Sequence, residues 1–309
     1  MKDDLALTEK YRPDHVSECI LPKRIKDVFE GFVKQGTFPN LLLSGNPGTG
    51  KTTIARALCN DLNYEYIFLN TSLERNIDTI RNDITNFAST VSLSGKPKAI
   101  ILDEADGLTN IAQGALRGVF EEFHFVKFIL TCNNKNKIID AISESRCTAI
   151  DFGVQKSERA EMIQEMTKRL YGILKTEKIE FDLPVLVKFI TKFYPDNRRI
   201  LMDIQKYASG GKIDEGILGG TADTEQLVKF LKDKNWKELR QWVANNSDID
   251  VGFLCAKLEE SLYHLVKPDF VPALMIIFGQ YLNYSTTTPN NELNVAAMLA
   301  DIMLQIEFK

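Results

Sequence analysis

One eight-residue stretch constrains this chain more than any other: Gly45-Asn46-Pro47-Gly48-Thr49-Gly50-Lys51-Thr52. It follows the short apolar run Leu41-Leu42-Leu43, which reads as a buried strand, and precedes a helical pattern from Ile54 to Leu62. A glycine-rich loop between a strand and a helix lets backbone N–H groups turn inward around phosphate oxygens. The helix N-terminus adds the positive end of its dipole. In that setting Lys51 reaches the β and γ phosphates of a nucleoside triphosphate, and Thr52 holds Mg²⁺. Thr53, next in the chain, counts with these residues as nucleotide-binding. The alternative is a chance match in a glycine turn, and the flanking strand and helix argue against it.

The rest of the first half alternates in the same way. Strands are expected at Tyr66–Leu69, Ala99–Leu102 and Val126–Thr131, and helices over Ile77–Phe87 and Ile111–Phe123. Strands that alternate with helices give a parallel α/β sheet covered on both faces. After about residue 154 the strands are expected to stop. Ser157 is expected to cap one helix, Asp182 with Pro184 to open a second, and Asp196 to cap a third that stops at Gly210-Gly211. Residues 213–224, rich in Gly and Thr, read as a linker. Beyond them comes an all-helical block with both tryptophans, Trp236 and Trp242. Three parts follow: 1–154, an α/β nucleotide-binding domain; 155–222, a small helical lid; and 223–309, a C-terminal helical domain.

The strand Ala99–Leu102 runs into Asp103-Glu104-Ala105-Asp106. Carboxylates there lie at the C-terminal edge of the sheet, where ligands bind in open α/β folds. Asp103 suits Mg²⁺, and Glu104 suits accepting a proton from the attacking water or orienting it. The letters Asp-Glu-Ala-Asp invite a helicase reading, but no second phosphate-loop sheet follows residue 155. Cys132-Asn133-Asn134 closes the next strand and puts the Asn133 amide beside the phosphate loop. Arg146, in Ser145-Arg146-Cys147, is either a finger supplied to a neighbouring subunit's nucleotide or the partner of a local carboxylate such as Glu144. A predicted helix over Lys137–Ile142 precedes it. Arg198 stands in the first turn of the third lid helix, an unfavourable place for a cation unless an anion lies near. Arg75 and Arg81 flank the start of the Ile77 helix. They suit a nucleic-acid phosphate or simply form a solvated face.

Charge divides unevenly. The net charge is −4, all of it in residues 222–309, where 12 acids face 8 bases. Nucleic-acid contact is therefore a local patch in the first 221 residues, and the acidic block reads as a protein–protein element. Cysteines 19, 59, 132, 147 and 255 form no CxxC pair. That argues against structural zinc and a disulfide framework, and for a reducing, cytoplasmic setting. No apolar stretch is long enough to span a bilayer, and Met1-Lys2-Asp3-Asp4 does not begin a secretory signal.

Together these segments resemble the AAA+ ATPases of the clamp-loader group. Glu9-Lys10-Tyr11-Arg12-Pro13 is similar to the opening signature of replication factor C small subunits, which lies by the adenine. The resemblance counts Tyr11, Arg12, Pro13 and Ile20 with the nucleotide-binding residues. Ser145-Arg146-Cys147 resembles the trans-arginine motif, Asp196-Asn197-Arg198-Arg199 the second sensor, and the segment with Arg75, Ile77 and Arg81 the template-strand contact. Gln113 matches a position that couples DNA contact to the acidic strand. Glu18-Cys19-Ile20-Leu21-Pro22, Thr85-Asn86-Phe87-Ala88-Ser89 and Pro195-Asp196 look like the T4-type bacteriophage large subunits of that group. Gly118 departs from the cellular members, which carry a second arginine there.

The resemblance implies ATP and Mg²⁺ as cofactors and a C-terminal collar. It implies four copies of this chain with one different small subunit, and a sliding clamp held open around primer–template DNA. The setting implied is the cytoplasm of an infected bacterium. A helicase loader or branch-migration motor is the alternative within the AAA+ group.

Overall fold

The computed structural model describes residues 6–72, 77–90, 95–208, 212–213, 217, 224–246, 249, 251–285 and 290–309; side chains are described for these except 77, 78, 224 and 225. The chain divides into two units, Met1–Ile217 and Leu218–Lys309.

The first unit opens with α1 (Leu7–Lys10), α2 (Lys23–Gln35), β1 (Leu41–Ser44), α3 (Lys51–Asp61) and β2 (Glu65–Asn70). It continues with α4 (Ile77–Ser89), β3 (Lys98–Asp103), α5 (Asn110–Glu122), β4 (Lys127–Cys132), α6 (Asp140–Ser143) and β5 (Thr148–Asp151). The five strands are all parallel, in the order β2-β3-β4-β1-β5. Strand alternation divides their side chains between two cores. Leu41, Leu43, Ala99, Ile101 and Ile129 face Phe29 of α2 and Ile54 and Leu58 of α3. Leu42, Ile100, Leu102, Phe128 and Leu130 face Ile80 and Ile84 of α4 and Leu116 and Phe120 of α5. Because both faces are covered, β1 and β3 are apolar without interruption. Each fully buried Leu or Ile contributes about 1.5–3 kcal/mol.

The sequence showed four of these strands. The fifth, β5, has one buried side chain in four, Ile150, so it carries no apolar run. It pairs with β1 on the side away from β4. The chain thus leaves β1, crosses to the far edge, fills in β3 and β4, and returns to the other side of β1. That reversal opens a crevice above the C-terminal ends of the strands.

The helical part of this unit comprises α7 (Arg159–Thr176), β6 (Glu180–Phe181), α8 (Leu183–Phe193), α9 (Asn197–Ala208) and β7 (Lys212–Ile213). Strands therefore do not stop at residue 154, since β6 and β7 form a two-residue parallel pair. Two residues are too few to leave a periodic signal. Ser157 does not cap α7: the helix begins at Arg159, with Glu158 at the N-cap and no side-chain cap bond. Asp182 and Asp196 do cap α8 and α9, accepting from Val185 N and Arg199 N. The helix expected over Lys137–Ile142 is a 3₁₀ turn at Lys135–Lys137 followed by the single turn of α6.

The second unit is helical: α10 (Thr224–Lys232), α11 (Trp236–Asn245), α12 (Val251–Leu262), α13 (Val271–Ser285) and α14 (Asn291–Gln305). Its core joins Leu227, Trp242, Leu258, Leu274 and Leu299. Buried Asn294 of α14 donates to the Tyr281 carbonyl of α13, and the Tyr281 hydroxyl donates to Asp301 at 2.7 Å. No helix among the described residues is long and apolar enough to cross a membrane.

Candidate active site

The crevice is a cleft of about 330 Å³. At one end the β1–α3 loop wraps the buried Lys51 ammonium. Lys51 Nζ donates to the carbonyls of Gly45 (2.7 Å) and Asn46 (2.9 Å) and to Asn133 Oδ1 (3.1 Å), which uses all three of its protons. Burial lowers the Lys51 pKa, and the nearby Asp103 and Asp106 charges oppose that fall. Two glycines are needed for steric reasons. Gly50 takes φ +92° at the N-cap of α3. At Gly48 a Cβ would lie 1.9 Å from Asp196 Oδ1, because α9 docks on the loop there, with Asn197 N donating to the Gly48 carbonyl at 3.1 Å. Asn46 and Thr49 also belong to the loop's own frame, since Thr49 Oγ1 donates to the Asn46 carbonyl.

Strand β4 lies between the loop and the acidic end of β3, and its Thr131 joins them. Asp103 Oδ1 accepts from Thr52 Oγ1 and from Thr131 Oγ1, both at 2.7 Å. Glu104 sits in the left-handed region at φ +58°. That conformation costs a non-glycine residue roughly 1–2 kcal/mol. It is held by Glu104 N donating to Thr131 Oγ1 and by Thr71 Oγ1 donating to the Glu104 carbonyl. Asp106 Oδ2 accepts from the backbone N–H groups of Asn133 and Asn134, which sets the turn that carries the Asn133 amide.

Of the residues singled out in the sequence, Tyr11, Arg12, Pro13, Ile20, Pro47, Gly48, Thr49, Gly50, Lys51, Thr52, Thr53, Asp103, Glu104, Asn133 and Arg198 line this one cleft. Arg198 enters from the first turn of α9. Gly45 and Asn46 stand behind Lys51 as its acceptors. Arg146 is not part of the lining. Its Nη2 pairs with Glu121 of α5 at 2.5 Å and its Nη1 donates to the Ala141 carbonyl. The carboxylate expected for it, Glu144, pairs with Lys135 instead. Arg146 holds the Glu121 carboxyl below its usual range. Buried Gln113 bonds only to backbone: the carbonyls of Leu108 and Lys137 and the N–H of Ile139. Arg81 is exposed on α4, Ile77 begins that helix, and Arg75 lies outside the described residues.

Sequence reasoning missed several members. Thr131, Arg169 and Glu177 had no motif around them, and Asp106 and Asn197 sat inside motifs that gave them no role of their own. Asn197 Oδ1 and Arg12 Nε are buried without a hydrogen-bond partner, and both residues line the cleft. The orphan Arg12 Nε donor, in the same cleft as Lys51, Arg198 and the N-terminus of α3, fits a polyanionic ligand. Among the described residues no group of three His, Cys, Asp or Glu side chains forms a metal site by itself. The Thr52–Asp103 oxygen pair fits Mg²⁺, which takes its other ligands from phosphate and water.

Comparison with known proteins places this geometry. The family model described as "ATPase family associated with various cellular activities (AAA)" matches residues 41–154. The fold and cleft are thus those of an AAA ATPase. A second model, "Sliding-clamp-loader large subunit, AAA+ ATPase lid domain", matches residues 158–219. The sliding-clamp-loader large subunit of Enterobacteria phage T4 is 35% identical over 98% of this chain and 97% of its own length. That of Escherichia phage RB69 is 37% identical with the same coverage. A replication factor C small subunit of Sulfolobus acidocaldarius is 41% identical over 78% of this chain and 71% of its own. The chain belongs to the sliding-clamp-loader large-subunit family of AAA+ ATPases. Among solved structures, a RuvB variant of Thermotoga maritima overlays with a TM-score of 0.52 over 87% of this chain and 85% of its own, at 16% identity. That likeness is one of fold.

Proposed function

We propose that this chain is the ATPase subunit of a DNA polymerase clamp loader, and that its hydrolysis depends on Mg²⁺ and on DNA. The observation that carries the ATPase part is the Thr52–Asp103–Thr131 junction, which ties the phosphate loop to the acidic strand end beside Lys51. Lys51 exchanges its carbonyl partners for β and γ phosphate oxygens. Arg198 brings a second cation from the lid. Thr52 and Asp103 would hold Mg²⁺, which would supply charge neutralisation for the phosphates. Asn133 and Glu104 orient the attacking water, with Glu104 as its base.

The loader part rests on the family. Four copies of this chain and one different small subunit, joined by helical collars, would form a spiral. That spiral holds a sliding clamp open around primer–template DNA. The functional parts are 1–154, 155–222 and 223–309. Arg75, Ile77 and Arg81 face the template strand, and Gln113 relays that contact to the acidic strand. Arg146 acts on the neighbour's nucleotide, in keeping with its place outside its own cleft. A helicase-loader or branch-migration reading has no feature of this chain in its favour.

Mixed assemblies test the proposal. Arg146→Ala in the complex is expected to lower hydrolysis roughly 10³-fold or more with clamp and primed DNA present, and to leave ATP binding by the isolated chain nearly unchanged. Mixing Arg146→Ala with Lys51→Ala subunits is expected to restore part of the activity, because some interfaces then pair an intact Lys51 with an intact Arg146. Mixtures as inactive as their parents, in complexes that still assemble, would remove the trans role.

A further inference from the structure

The N-terminal segment, residues 6–21, bridges two parts of the first unit. On the sheet side it is tied to α3. His15 Nδ1 meets Asp61 Oδ1 at 2.5 Å, Val16 N donates to Asp61 Oδ2 at 2.8 Å, and Asn60 Nδ2 donates to the Asp14 carbonyl. On the lid side Leu7 N donates to Gln205 Oε1 of α9. Glu177, at the end of α7, accepts from the Tyr11 hydroxyl and pairs with Lys10 at 2.9 Å. The central tie is Arg169 of α7. Its Nη1 donates to the Glu18 carbonyl at 2.7 Å and its Nη2 to the Tyr11 carbonyl at 2.8 Å.

The Tyr11 carbonyl belongs to one stretch that walls the cleft, Tyr11–Pro13, and the Glu18 carbonyl lies in the peptide link that leads into the other, Cys19–Leu21. One rigid, planar fork therefore sets the spacing between both walls. A lysine supplies a point charge and cannot span the pair in the same plane. Arg169 forms no ion pair with a carboxylate among the described residues, and its fork is committed to backbone.

We infer that Arg169 is a positioning residue for the nucleotide base: it holds the two base-side walls at a fixed separation and ties that separation to the lid helix α7. This deepens the ATPase reading and rests on it. Loss of the fork frees the walls to separate. Binding contributed by the base falls, and binding contributed by the phosphates does not.

Titration calorimetry on the full chain, with ATP, ADP and inorganic tripolyphosphate, separates these contributions. Arg169→Ala is expected to raise the Kd of ATP and ADP in parallel, by roughly tenfold for two lost hydrogen bonds. Tripolyphosphate affinity is expected to stay within about twofold of wild type, by the same partition. Arg169→Lys is expected to fall between. In the assembled complex KM for ATP should rise more than kcat falls. Unchanged ATP and ADP affinity in Arg169→Ala overturns the inference. So does tripolyphosphate weakening as much as ATP, which makes the residue a general prop of the fold. If the alanine variant unfolds, Arg169→Lys and Arg169→Gln carry the same comparison. The ATPase reading is checked separately: wild-type chain that does not bind ATP sinks that reading, whereas wild-type binding with normal Arg169→Ala binding sinks only this inference.

Discussion

The two ends of the cleft are built by opposite means. At the phosphate end, six residues of continuous chain fold back on themselves, and Lys51 finds two of its three acceptors five and six positions away. At the other end, local bonds such as Tyr11 N to the Leu7 carbonyl and Cys19 N to the Val16 carbonyl shape each wall, and distant residues tie the walls to the lid. Arg169 reaches 158 residues back to Tyr11 and 151 back to Glu18, and Glu177 reaches 166 back to Tyr11. A local site survives small movements of the fold around it. A site assembled from distant segments exists only while the lid and the sheet keep their relation, so it can report that relation to the nucleotide.

The largest expected contrast is at the phosphate end. Lys51→Ala removes the only lysine in the loop, and both ATP binding and hydrolysis are expected to be lost. Retained binding in a filter or calorimetric assay would mean that the two ends do not divide as described. Glu104→Gln lies one step along the same end. It keeps the side-chain shape and removes the base, so ATP binding is expected to persist while single-turnover hydrolysis falls by roughly 10²–10⁴-fold. Loss of binding instead would make Glu104 a structural member, one whose φ of +58° depends on its charge.

Changes at the base end are smaller. Tyr11→Phe deletes one hydrogen bond to Glu177 and leaves the Arg169 fork whole. ATP affinity is expected to weaken by about twofold to tenfold, from about 0.5–1.5 kcal/mol for one such bond. A collapse comparable to Lys51→Ala would show the base end to be the tighter of the two. The slightest effect is with pH. The Glu177 carboxyl is held below its usual 4.5 by its bonds from Tyr11 and Lys10. A depressed carboxyl stabilises the fold at every pH above its unfolded value and loses that contribution as pH falls through the folded value. The contribution of this contact to thermal stability should therefore be full and independent of pH near neutrality and fall away below about pH 4.5, so that the wild-type and Glu177→Gln curves differ near neutrality and converge in acid. A difference that grows toward alkaline pH would contradict the ion-pair account.

What the sequence determined by itself is what short-range chemistry can encode. The loop from Gly45 to Thr52, the apolar runs of β1 and β3, the carboxylates ending β3 and the caps at Asp182 and Asp196 each state their structure within a few residues. Glycine, proline and hydrophobic period act locally. The tertiary structure decided what depends on which segments become neighbours. The order β2-β3-β4-β1-β5 set Thr131 between Asp103 and the phosphate loop, so a threonine with no motif became the hinge of the site. Packing of α5 against α6 gave Arg146 to Glu121 rather than to Glu144. Edge strand β5 and the pair β6–β7 formed because a partner strand was waiting, not because their own residues demand it. The Arg169 fork belongs with these. Its acceptors are backbone carbonyls, present at every position of every chain, and only the fold selects the two that Arg169 holds.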